Sequence, residues 1–402
     1  GPRIGYGPVK SIVQCLAKKE GKDDFYKIKI LTLEKPEDET YDDRQGKMLM
    51  HTEYSILSLL HNQTGVEHHH GLFKVQEKEV GSDRRQTIVT GKIQRRLCLV
   101  LDCLIPHDYS TRTNKYVNLQ HHVITERRLS ESYAILIFTD IIRVVESLHK
   151  KNIVHRDLKL GNMVLDKDAK KIIITNFCLG RHLVSENEML TDQRGSPAYI
   201  SPDVLSYKPY LGKPSDMWAL GVVLYTLFFG RVPFFDTTPQ ELFRKIKAVE
   251  FTIPNDVPVS ENSIMVIRKL LVLDPKTRMT ASQVLDAMSV ILSTRYRIIV
   301  HNSSDFHVVP DIDINKLNKA KSEQGKTVSH NMPFSYNTQY HEHSSNFQQI
   351  LQTVNSECSA STSTITCRSR RTGPPPIKRL HTDAQPLTPS EIAALHHAIP
   401  KV

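Results

Sequence analysis

Residues 153–180 read IVHRDLKLGNMVLDKDAKKIIITNFCLG, and this stretch decides how the rest of the chain is interpreted. The sequence His-Arg-Asp at residues 155–157 predicts a polar turn, and the loop that follows it reaches Asn162. Two short apolar runs, residues 163–165 and residues 172–175, predict a pair of strands joined by a charged turn. The residues H-R-D-L-K-x-x-N therefore lie in one loop next to a strand pair.

This pattern is intact and resembles the catalytic loop of the protein kinase family. The resemblance implies an α+β fold with two lobes, followed by a tail. A small β-rich N-lobe and the hinge would occupy residues 1–104, and a large, mainly helical C-lobe would occupy residues 105–298. Residues 299–402 are rich in Ser, Thr, Asn, His and Gln, a composition that predicts a largely disordered tail.

The resemblance also assigns roles to residues of the loop. Phosphoryl transfer from ATP depends mostly on positioning and on charge neutralisation by Mg²⁺. Asp157 would accept the proton of the substrate hydroxyl, Lys159 would steady the moving phosphoryl group, and Asn162 would ligate a metal ion. The lysine in H-R-D-L-K also resembles serine/threonine kinases rather than tyrosine kinases.

Two glycines near the start of the chain, Gly5 and Gly7, occupy the place of the family's nucleotide-binding glycine-rich loop. Glycine in that loop lets backbone N–H groups approach the phosphates without a side-chain clash. Lys10 stands where a third glycine belongs, and Pro8 removes one possible donor. The phosphate cradle is therefore predicted to be weak.

Residues 25–31 alternate like a strand and resemble the family's V-A-I-K strand, whose lysine holds the α- and β-phosphates. Lys27 and Lys29 lie on the same strand face, so the alternation alone does not separate them, and the Ile-Lys-Ile-Leu context favours Lys29. Residues 44–61 predict the following helix, with Glu53 on its inward apolar stripe. By resemblance, Glu53 is the ion-pair partner of that lysine.

Residues 97–104 predict a buried strand that runs into the hinge between the lobes. By resemblance, Leu101 is the gatekeeper, and the backbone from Asp102 to Leu104 would face the adenine of a nucleotide. Two polar stretches are predicted to be connections, the first of them an exposed β-connection: residues 74–96 and residues 107–128.

The family's second metal-binding element reads Asp-Phe-Gly, whereas residues 176–178 read Asn-Phe-Cys. Mg²⁺ prefers hard, charged oxygen ligands, and Asn176 offers one neutral carbonyl oxygen. Cys178 in place of glycine also restricts the backbone of this segment. We therefore predict a degraded metal site and impaired catalysis, with ATP and Mg²⁺ as cofactors only if the chain is nevertheless an active kinase.

Three further residues match positions that are structural in the family. Asp216 opens the pattern D-x-W-x-x-G and would anchor the backbone of the catalytic loop. Asp203 ends a segment that resembles G-T-P-x-Y-x-A-P-E, where it replaces the usual glutamate, and Arg278 is the arginine with which it would pair. These matches predict an intact fold and leave activity open.

The combination of HRDLKLGNMVL, ITNFCLG, DQRGSPAYISPDVL and KPSDMWALGVVL resembles the Tribbles-related pseudokinases. The resemblance implies an adaptor. The kinase fold would hold a client protein, while a tail peptide recruits a ubiquitin ligase of the constitutive-photomorphogenic RING type through its WD-repeat propeller. The matching peptide spans residues 305–311, with Phe306 where Tribbles proteins commonly carry glutamine. Its expected contacts are a pocket for Val308 and Val309, basic rims for Asp305 and Asp311, and an extended backbone at Pro310.

The composition of the 402 residues narrows the functional classes. The net charge is +10, and because no nucleic-acid motif accompanies it, spread surface charge is favoured over a nucleic-acid partner. The longest apolar run, residues 218–229, is too short to span a bilayer, so no membrane partner is predicted. Histidines 68–70 and 121–122 have no cysteine or carboxylate at ligand spacing, which favours solvated loops over metal binding.

Cysteine usage and a basic cluster bear on localisation. The six cysteines contain no C-x-x-C pair, which indicates a reducing intracellular compartment. The first residue is Gly rather than Met, which suggests a fragment. A basic cluster in the tail is interpreted either as a nuclear-import signal or as a solvated charge run: Arg368, Arg370, Arg371, Lys378 and Arg379. We predict an intracellular protein of nucleus and cytoplasm.

Three functions are therefore weighed. The first is an adaptor with vestigial catalysis, favoured by Asn176 and Lys10. The second is an active or weakly active serine/threonine kinase with an atypical metal ligand, which the retained Asp157 and Lys29 support. The third is a kinase fold that binds nucleotide without transferring phosphate.

Overall fold

The computed structural model describes three stretches of the chain: residues 1–83, 86–302 and 385–386. The chain divides into two compact units: residues 1–288 with 369–402, and residues 289–368. The predicted nucleotide-binding, catalytic and structural residues all belong to the first unit. The predicted ligase motif at residues 305–311 lies outside the described residues, as does nearly all of the predicted tail.

The N-terminal region is a sheet of five antiparallel strands with one helix. Its elements are β1 (Arg3–Tyr6), β2 (Ile12–Lys18), β3 (Phe25–Leu33), α1 (Tyr41–Leu59), β4 (His69–Asp83) and β5 (Gln86–Asp102). The strands follow the order β1-β2-β3-β5-β4 in the sheet. Leu31 on β3 and Leu99 on β5 are fully buried. The sheet therefore brings the start of β3 beside the end of β5, where the hinge was predicted.

Helix α1 begins three residues earlier than the sequence predicted and ends at Leu59. Its start is set by a capping box. The Thr40 hydroxyl accepts a hydrogen bond from the Asp43 backbone N–H, and the Asp43 carboxylate accepts one from the Thr40 backbone N–H. The buried face of the helix carries Glu53 toward the sheet.

Residues 74–96, predicted to be an exposed β-connection, form most of a long hairpin. Strands β4 and β5 pair from His69 opposite Leu101 to Asp83 opposite Gln86, with two register shifts. The predicted buried strand of residues 97–104 is the last part of β5, which ends at Asp102. The hairpin explains how a polar sequence remains ordered as a strand, since its residues satisfy one another's backbone groups.

The C-terminal region is mainly helical. Its elements are β6 (Tyr116–Asn118), α2 (Leu119–Glu126), α3 (Glu131–Lys150), β7 (Ile153–Val154), β8 (Met163–Asp166), β9 (Lys171–Ile174), β10 (Arg181–His182), β11 (Met189–Leu190), β12 (Tyr210–Leu211), α4 (Gly212–Phe229), α5 (Pro239–Ala248), α6 (Glu261–Leu270) and α7 (Ala281–Asn302). The two-residue strand β13 (Gln385–Pro386) pairs with β4. Among the described residues, every helix is too short or too polar to span a membrane.

Helices α3 and α4 form the centre of this region. Helix α4 is apolar on nearly all sides and buried along nearly its whole length, as expected of a helix that other elements surround. Phe138 on α3 and Trp218 on α4 are fully buried, and burial of side chains of this size stabilises the fold by about 2 kcal/mol each. Strands β8 and β9 lie beside this core and carry the catalytic loop.

The polar connection predicted at residues 107–128 contains secondary structure that the sequence did not indicate. This stretch contains β6, which pairs with β8, and the short helix α2. The Asn118 side chain caps α2 by accepting hydrogen bonds from the backbone N–H groups of Gln120 and His121. The helix has only eight residues and two buried ones, so its periodic signal was too weak to predict.

Candidate functional site

Lys29 and Glu53 form a buried ion pair between β3 and α1. Lys29 Nζ lies 2.6 Å from Glu53 Oε2 and 2.8 Å from Oε1, and the two residues are 1% and 0% exposed. Burial lowers the Lys29 pKa, but the Glu53 carboxylate outweighs that influence, so the pKa lies above its ordinary value. The lysine is therefore a charged ammonium that is already compensated by protein groups.

The second lysine of the strand has a different partner. Lys27 Nζ lies 2.6 Å from Oε1 of Glu67, a residue that precedes β4. Strand alternation alone did not show which lysine pairs with Glu53. In the structure, Lys29 contacts Glu53 and Lys27 contacts Glu67. Nothing in the sequence analysis had assigned a role to Glu67.

The catalytic loop brings three predicted residues together with one that was not predicted. Asp157 Oδ2 accepts a hydrogen bond from Asn162 Nδ2 at 2.9 Å, and Lys159 Nζ lies 3.2 Å from the same oxygen. The Ser196 hydroxyl donates to Asp157 Oδ1 at 2.7 Å and accepts from Lys159 Nζ at 2.6 Å. Ser196 belongs to the Gly-Ser-Pro sequence of the activation segment. That sequence was the only feature from which its contact with the catalytic loop could have been predicted.

Asp216, at the first turns of α4, holds the backbone of the loop. Its carboxylate accepts hydrogen bonds from the backbone N–H groups of His155 at 2.9 Å and Arg156 at 2.8 Å, and it lies 3.1 Å from His149 Nε2. Burial raises the Asp216 pKa, but the hydrogen bonds and charges of these groups outweigh it, so the pKa lies below its ordinary value. The loop conformation is thus fixed from the C-terminal core.

The predicted pair of Asp203 and Arg278 is also in contact. Arg278 Nη2 lies 2.8 Å from Asp203 Oδ1, and the guanidinium also donates to the carbonyls of Val272 and Pro214. The guanidinium lies over the ring of Trp218. The shorter aspartate therefore reaches the arginine, which is fully buried.

Asn176 adopts the left-handed backbone conformation, with φ 66° and ψ 60°, which asparagine tolerates better than most residues. Its Oδ1 atom accepts hydrogen bonds from Lys29 Nζ at 3.0 Å and from the Cys178 thiol at 3.4 Å. Its Nδ2 group donates to Asn162 Oδ1 at 3.3 Å. Burial raises the pKa of that thiol to about 12, so Cys178 is a neutral donor at physiological pH.

These contacts decide whether the predicted metal ligands fit Mg²⁺. The two candidate oxygens are neutral, and each already accepts hydrogen bonds: Asn176 Oδ1 from Lys29, and Asn162 Oδ1 from Asn176. A divalent ion at Asn176 Oδ1 would have to displace an ammonium group of the same charge sign. The Asp157 carboxylate lies beside Asn162, and both of its oxygens already accept hydrogen bonds. The residues do not fit a magnesium site.

In the predicted phosphate cradle, the backbone N–H of one of the two glycines is already paired within the protein. Gly5 lies in β1, and an added Cβ there would meet no atom within 4 Å. The Gly7 backbone N–H donates to the Ile12 carbonyl at 2.9 Å, so it is already paired. An added Cβ on Gly7 would lie 2.5 Å from the Ile12 side chain, so this glycine is required by the packing of its own turn.

The hinge residue Asp102 forms hydrogen bonds with residues around the start of β4. The Asp102 backbone N–H donates to the His68 carbonyl at 3.1 Å, and Asp102 Oδ1 lies 2.8 Å from His70 Nε2. Burial raises the Asp102 pKa, but the neighbouring histidines outweigh it and hold the pKa below its usual range. Leu101 and Leu104 are buried. The Asp102 side chain therefore has partners other than a nucleotide.

The activation segment is fixed by a contact that the sequence analysis did not identify. Arg156 Nη2 lies 2.6 Å from Asp192 Oδ1 and 3.1 Å from the Tyr210 hydroxyl, which donates to the Asp192 carbonyl oxygen at 3.0 Å. Arg194 Nε lies 2.7 Å from the other carboxylate oxygen of Asp192. One carboxylate thus pairs with two arginines, one at each oxygen.

Comparison with known proteins identifies the family. Residues 1–288 match the family model described as the protein kinase domain. Proteins called serine/threonine-protein kinase 40 from Bos taurus, Gallus gallus and Homo sapiens are each 54% identical to this chain, over 98% of its length and 90% of theirs. A more distant relative, the probable serine/threonine-protein kinase HSL1 of Saccharomyces cerevisiae, is 36% identical over 41% of this chain.

These matches confirm the resemblance that was identified in residues 153–180. They also confirm the predicted fold class, with a β-rich N-terminal region and a helical C-terminal region. The similarity to serine/threonine-protein kinase 40 agrees with the resemblance to the Tribbles-related group. The chain therefore belongs to the protein kinase family, as a relative of the serine/threonine-protein kinase 40 proteins.

Proposed function

We propose that this chain is a pseudokinase adaptor, in which the kinase fold serves protein binding and not phosphoryl transfer. The observation that carries the proposal is the contact of Asn176 with Lys29 and Asn162. It joins the residue that replaces the metal-binding aspartate to the phosphate-binding lysine and to the second metal-ligand candidate. The three side chains satisfy one another, so the folded state gains little from ATP and Mg²⁺.

A thermal shift experiment tests this proposal. The 402-residue chain is heated with ATP alone, with Mg²⁺ alone and with both, because a ligand that binds only the folded state raises the Tm by mass action. We expect no rise in Tm at millimolar ligand under any of the three conditions. A rise that grows with Mg²⁺ would contradict the proposal.

Weak serine/threonine kinase activity is the second candidate. The Lys29–Glu53 pair and the hydrogen bonds of Asp157 with Asn162 favour it, because both groups of residues have the contacts expected of an active kinase. Phosphorylation of a mixed peptide library by the purified chain decides between the two candidates. Transfer that is lost in Asp157→Ala would establish the kinase and exclude the adaptor as the sole function.

The adaptor would act through its tail. The peptide at residues 305–311, in which Val308, Val309 and Pro310 form the core, matches the ligase-binding peptides of Tribbles proteins. Two valines next to a proline present an apolar, pre-extended segment that loses little conformational entropy on binding. The flanking Asp305 and Asp311 supply negative charge for basic rims of a WD-repeat propeller. The client protein held by the kinase fold is a separate partner, and the proposed locations are the nucleus and the cytoplasm.

Binding of the full chain to the isolated propeller of a constitutive-photomorphogenic RING ligase tests this step. Val309→Ala with Pro310→Ala is expected to weaken binding at least tenfold, since it removes the apolar core and the pre-extended backbone together. Ile350→Ala, which lies in the tail outside the motif, serves as the control and is expected to leave binding unchanged. Equal affinity of the double variant and the unmodified chain would exclude this peptide as the ligase site.

A further inference from the structure

A second buried ion pair, between Lys27 and Glu67, lies near the hinge and includes none of the candidate metal ligands. Lys27 and Glu67 are 8% and 1% exposed, and their charged atoms lie 2.6 Å apart. The angles of this contact fall outside those of a hydrogen bond, and within the described residues neither carboxylate oxygen of Glu67 has a hydrogen-bond partner. The buried carboxylate therefore depends on the charge of Lys27.

The backbone places this pair between the hinge and Lys29. Lys27 lies two residues before Lys29 on β3 and so faces the same side of the sheet. Its partner in the β3–β5 register is Leu101, the residue before Asp102. On the other side, the Glu67 backbone N–H donates to the Ile174 carbonyl at 2.9 Å, two residues before Asn176.

Electrostatic contacts give the same location. Burial raises the pKa of the Cys103 thiol at the hinge, and the charges of Lys27 and Glu67 both act on that thiol. The Glu67 carboxylate also contributes to the raised pKa of Lys29. The Glu67 carboxylate is therefore within electrostatic range of both the hinge thiol and Lys29, which agrees with the position given by the backbone contacts.

The kinase motif shows which residue type usually stands at this point. In V-A-I-K, the residue two positions before the lysine is alanine, and here the aligned sequence is Tyr26-Lys27-Ile28-Lys29. Alanine extends one carbon above the sheet, whereas lysine extends four methylenes and an ammonium group. The substitution therefore fills space that the motif leaves open, and Glu67 holds the added side chain in place.

We propose that the Lys27–Glu67 ion pair occupies the volume in which an adenine base would stack, and so excludes adenine nucleosides from the cleft independently of the metal site. This inference deepens the proposed function and rests on it. A base could enter only by separating the pair, which would leave a buried carboxylate uncompensated. Replacement of both residues by smaller apolar ones opens that volume, and buried ion pairs tolerate apolar replacement well.

Calorimetric titration in the absence of Mg²⁺ tests the inference, with adenosine and ADP as probes of the full chain. The Lys27→Ala/Glu67→Val double variant opens the volume, and we expect it to bind adenosine at least tenfold more tightly than the unmodified chain. The matched control, Lys27→Met/Glu67→Leu, removes the charges but keeps the volume filled, and we expect it to behave like the unmodified chain. Circular dichroism and the Tm show that each variant is folded.

The outcomes are distinct. A folded Lys27→Ala/Glu67→Val variant that binds adenosine within twofold of the unmodified chain overturns the inference and leaves the proposed function standing. Equal gains in both double variants would assign the exclusion to charge and overturn the role of volume. ATP with Mg²⁺ binding to the unmodified chain would contradict both the proposed function and this inference. If the alanine variant does not fold, Lys27→Val/Glu67→Val, whose β-branched residue suits the strand, is used in its place and judged by the same criteria.

Discussion

At the scale of single residues, the cleft is defined by charges that compensate one another without a ligand. The Lys29 ammonium contacts the Glu53 carboxylate and the Asn176 amide oxygen, and it is fully enclosed. In an active kinase the same lysine must also hold phosphates. Here its partners are complete in the protein alone, which makes the pair a structural element of the N-terminal region.

This interpretation predicts how the pair responds to substitution. Lys29→Met leaves Glu53 buried without a cation, and we expect the free energy of unfolding to fall by about 3–5 kcal/mol. Lys29→Met combined with Glu53→Leu replaces both charges by apolar side chains, and we expect it to stay within about 1.5 kcal/mol of the unmodified chain. Urea unfolding at pH 7 measures both. A double variant as unstable as the single one would show that the pair is required as a pair of charges.

Sequence reasoning identified most of the individual residues of the site and few of their contacts. The H-R-D-L-K-x-x-N pattern located Asp157 and Asn162, because family motifs preserve spacing within one loop. Asn176 and Lys29 are 147 positions apart, and their hydrogen bond depends on how two distant segments meet. Glu67 carries no motif, so its pairing with Lys27 was not predictable from the order of residues.

At the scale of elements, the activation segment is held by protein charges. Kinase activation segments are commonly ordered by a phosphate that pairs with arginine. In this chain Asp192 supplies a carboxylate to both Arg156 and Arg194. Burial raises the Asp192 pKa, but the charge and hydrogen bond of Arg156 and the charge of Arg194 together outweigh burial and hold the pKa below its ordinary value, so the carboxylate is charged at neutral pH. A carboxylate of the protein thus makes the kind of arginine contact that a phosphate makes in those kinases.

Asp192→Ala is expected to loosen this segment. The variant leaves the buried Arg156 guanidinium without its carboxylate partner, and limited proteolysis should then cleave residues 181–195 at least fivefold faster than in the unmodified chain. Glu186→Ala is the matched control, because Glu186 lies in the same segment and its ion pair with Lys213 is largely solvent-exposed. Cleavage rates of Asp192→Ala equal to those of the control would show that other contacts order the segment.

The elements themselves were predicted with uneven success, for physical reasons. The long helix α3 has a strong apolar periodicity, from which the sequence predicts a helix over residues 130–150, close to the observed Glu131–Lys150. Helix α2 depends on the Asn118 cap and on its position beside the catalytic loop, and so it was missed. Residues 74–96 of the β4–β5 hairpin are polar, and only their backbone pairing shows that they form a strand pair.

At the scale of the whole first unit, Asp216 links the helical core to the site. Its carboxylate joins α4 to the turn at His155 and Arg156 and to His149 at the end of α3. Sequence reasoning predicted an anchor here from the D-x-W-x-x-G pattern. It did not identify His149 as a partner, since that histidine belongs to no motif. The anchor is formed whether or not the chain transfers phosphate, which is why motif retention alone does not establish activity.

The lowered pKa of Asp216 predicts how its contribution depends on pH. A carboxyl group whose pKa in the folded state lies below its ordinary value of 3.8 stabilises the fold above pH 3.8, and this stabilisation is lost as the pH falls through the lower folded-state value. At pH 7, Asp216→Asn removes charge-assisted hydrogen bonds and should lower the free energy of unfolding by about 1.5–3 kcal/mol. The difference from the unmodified chain should shrink as the pH drops below 3.8.

Urea unfolding between pH 7 and pH 3 measures this difference in the free energy of unfolding, with the exposed Asp256→Asn as the control. A difference that stays constant over this range would mean that the variant acts through packing and that the Asp216 charge does not hold the catalytic loop.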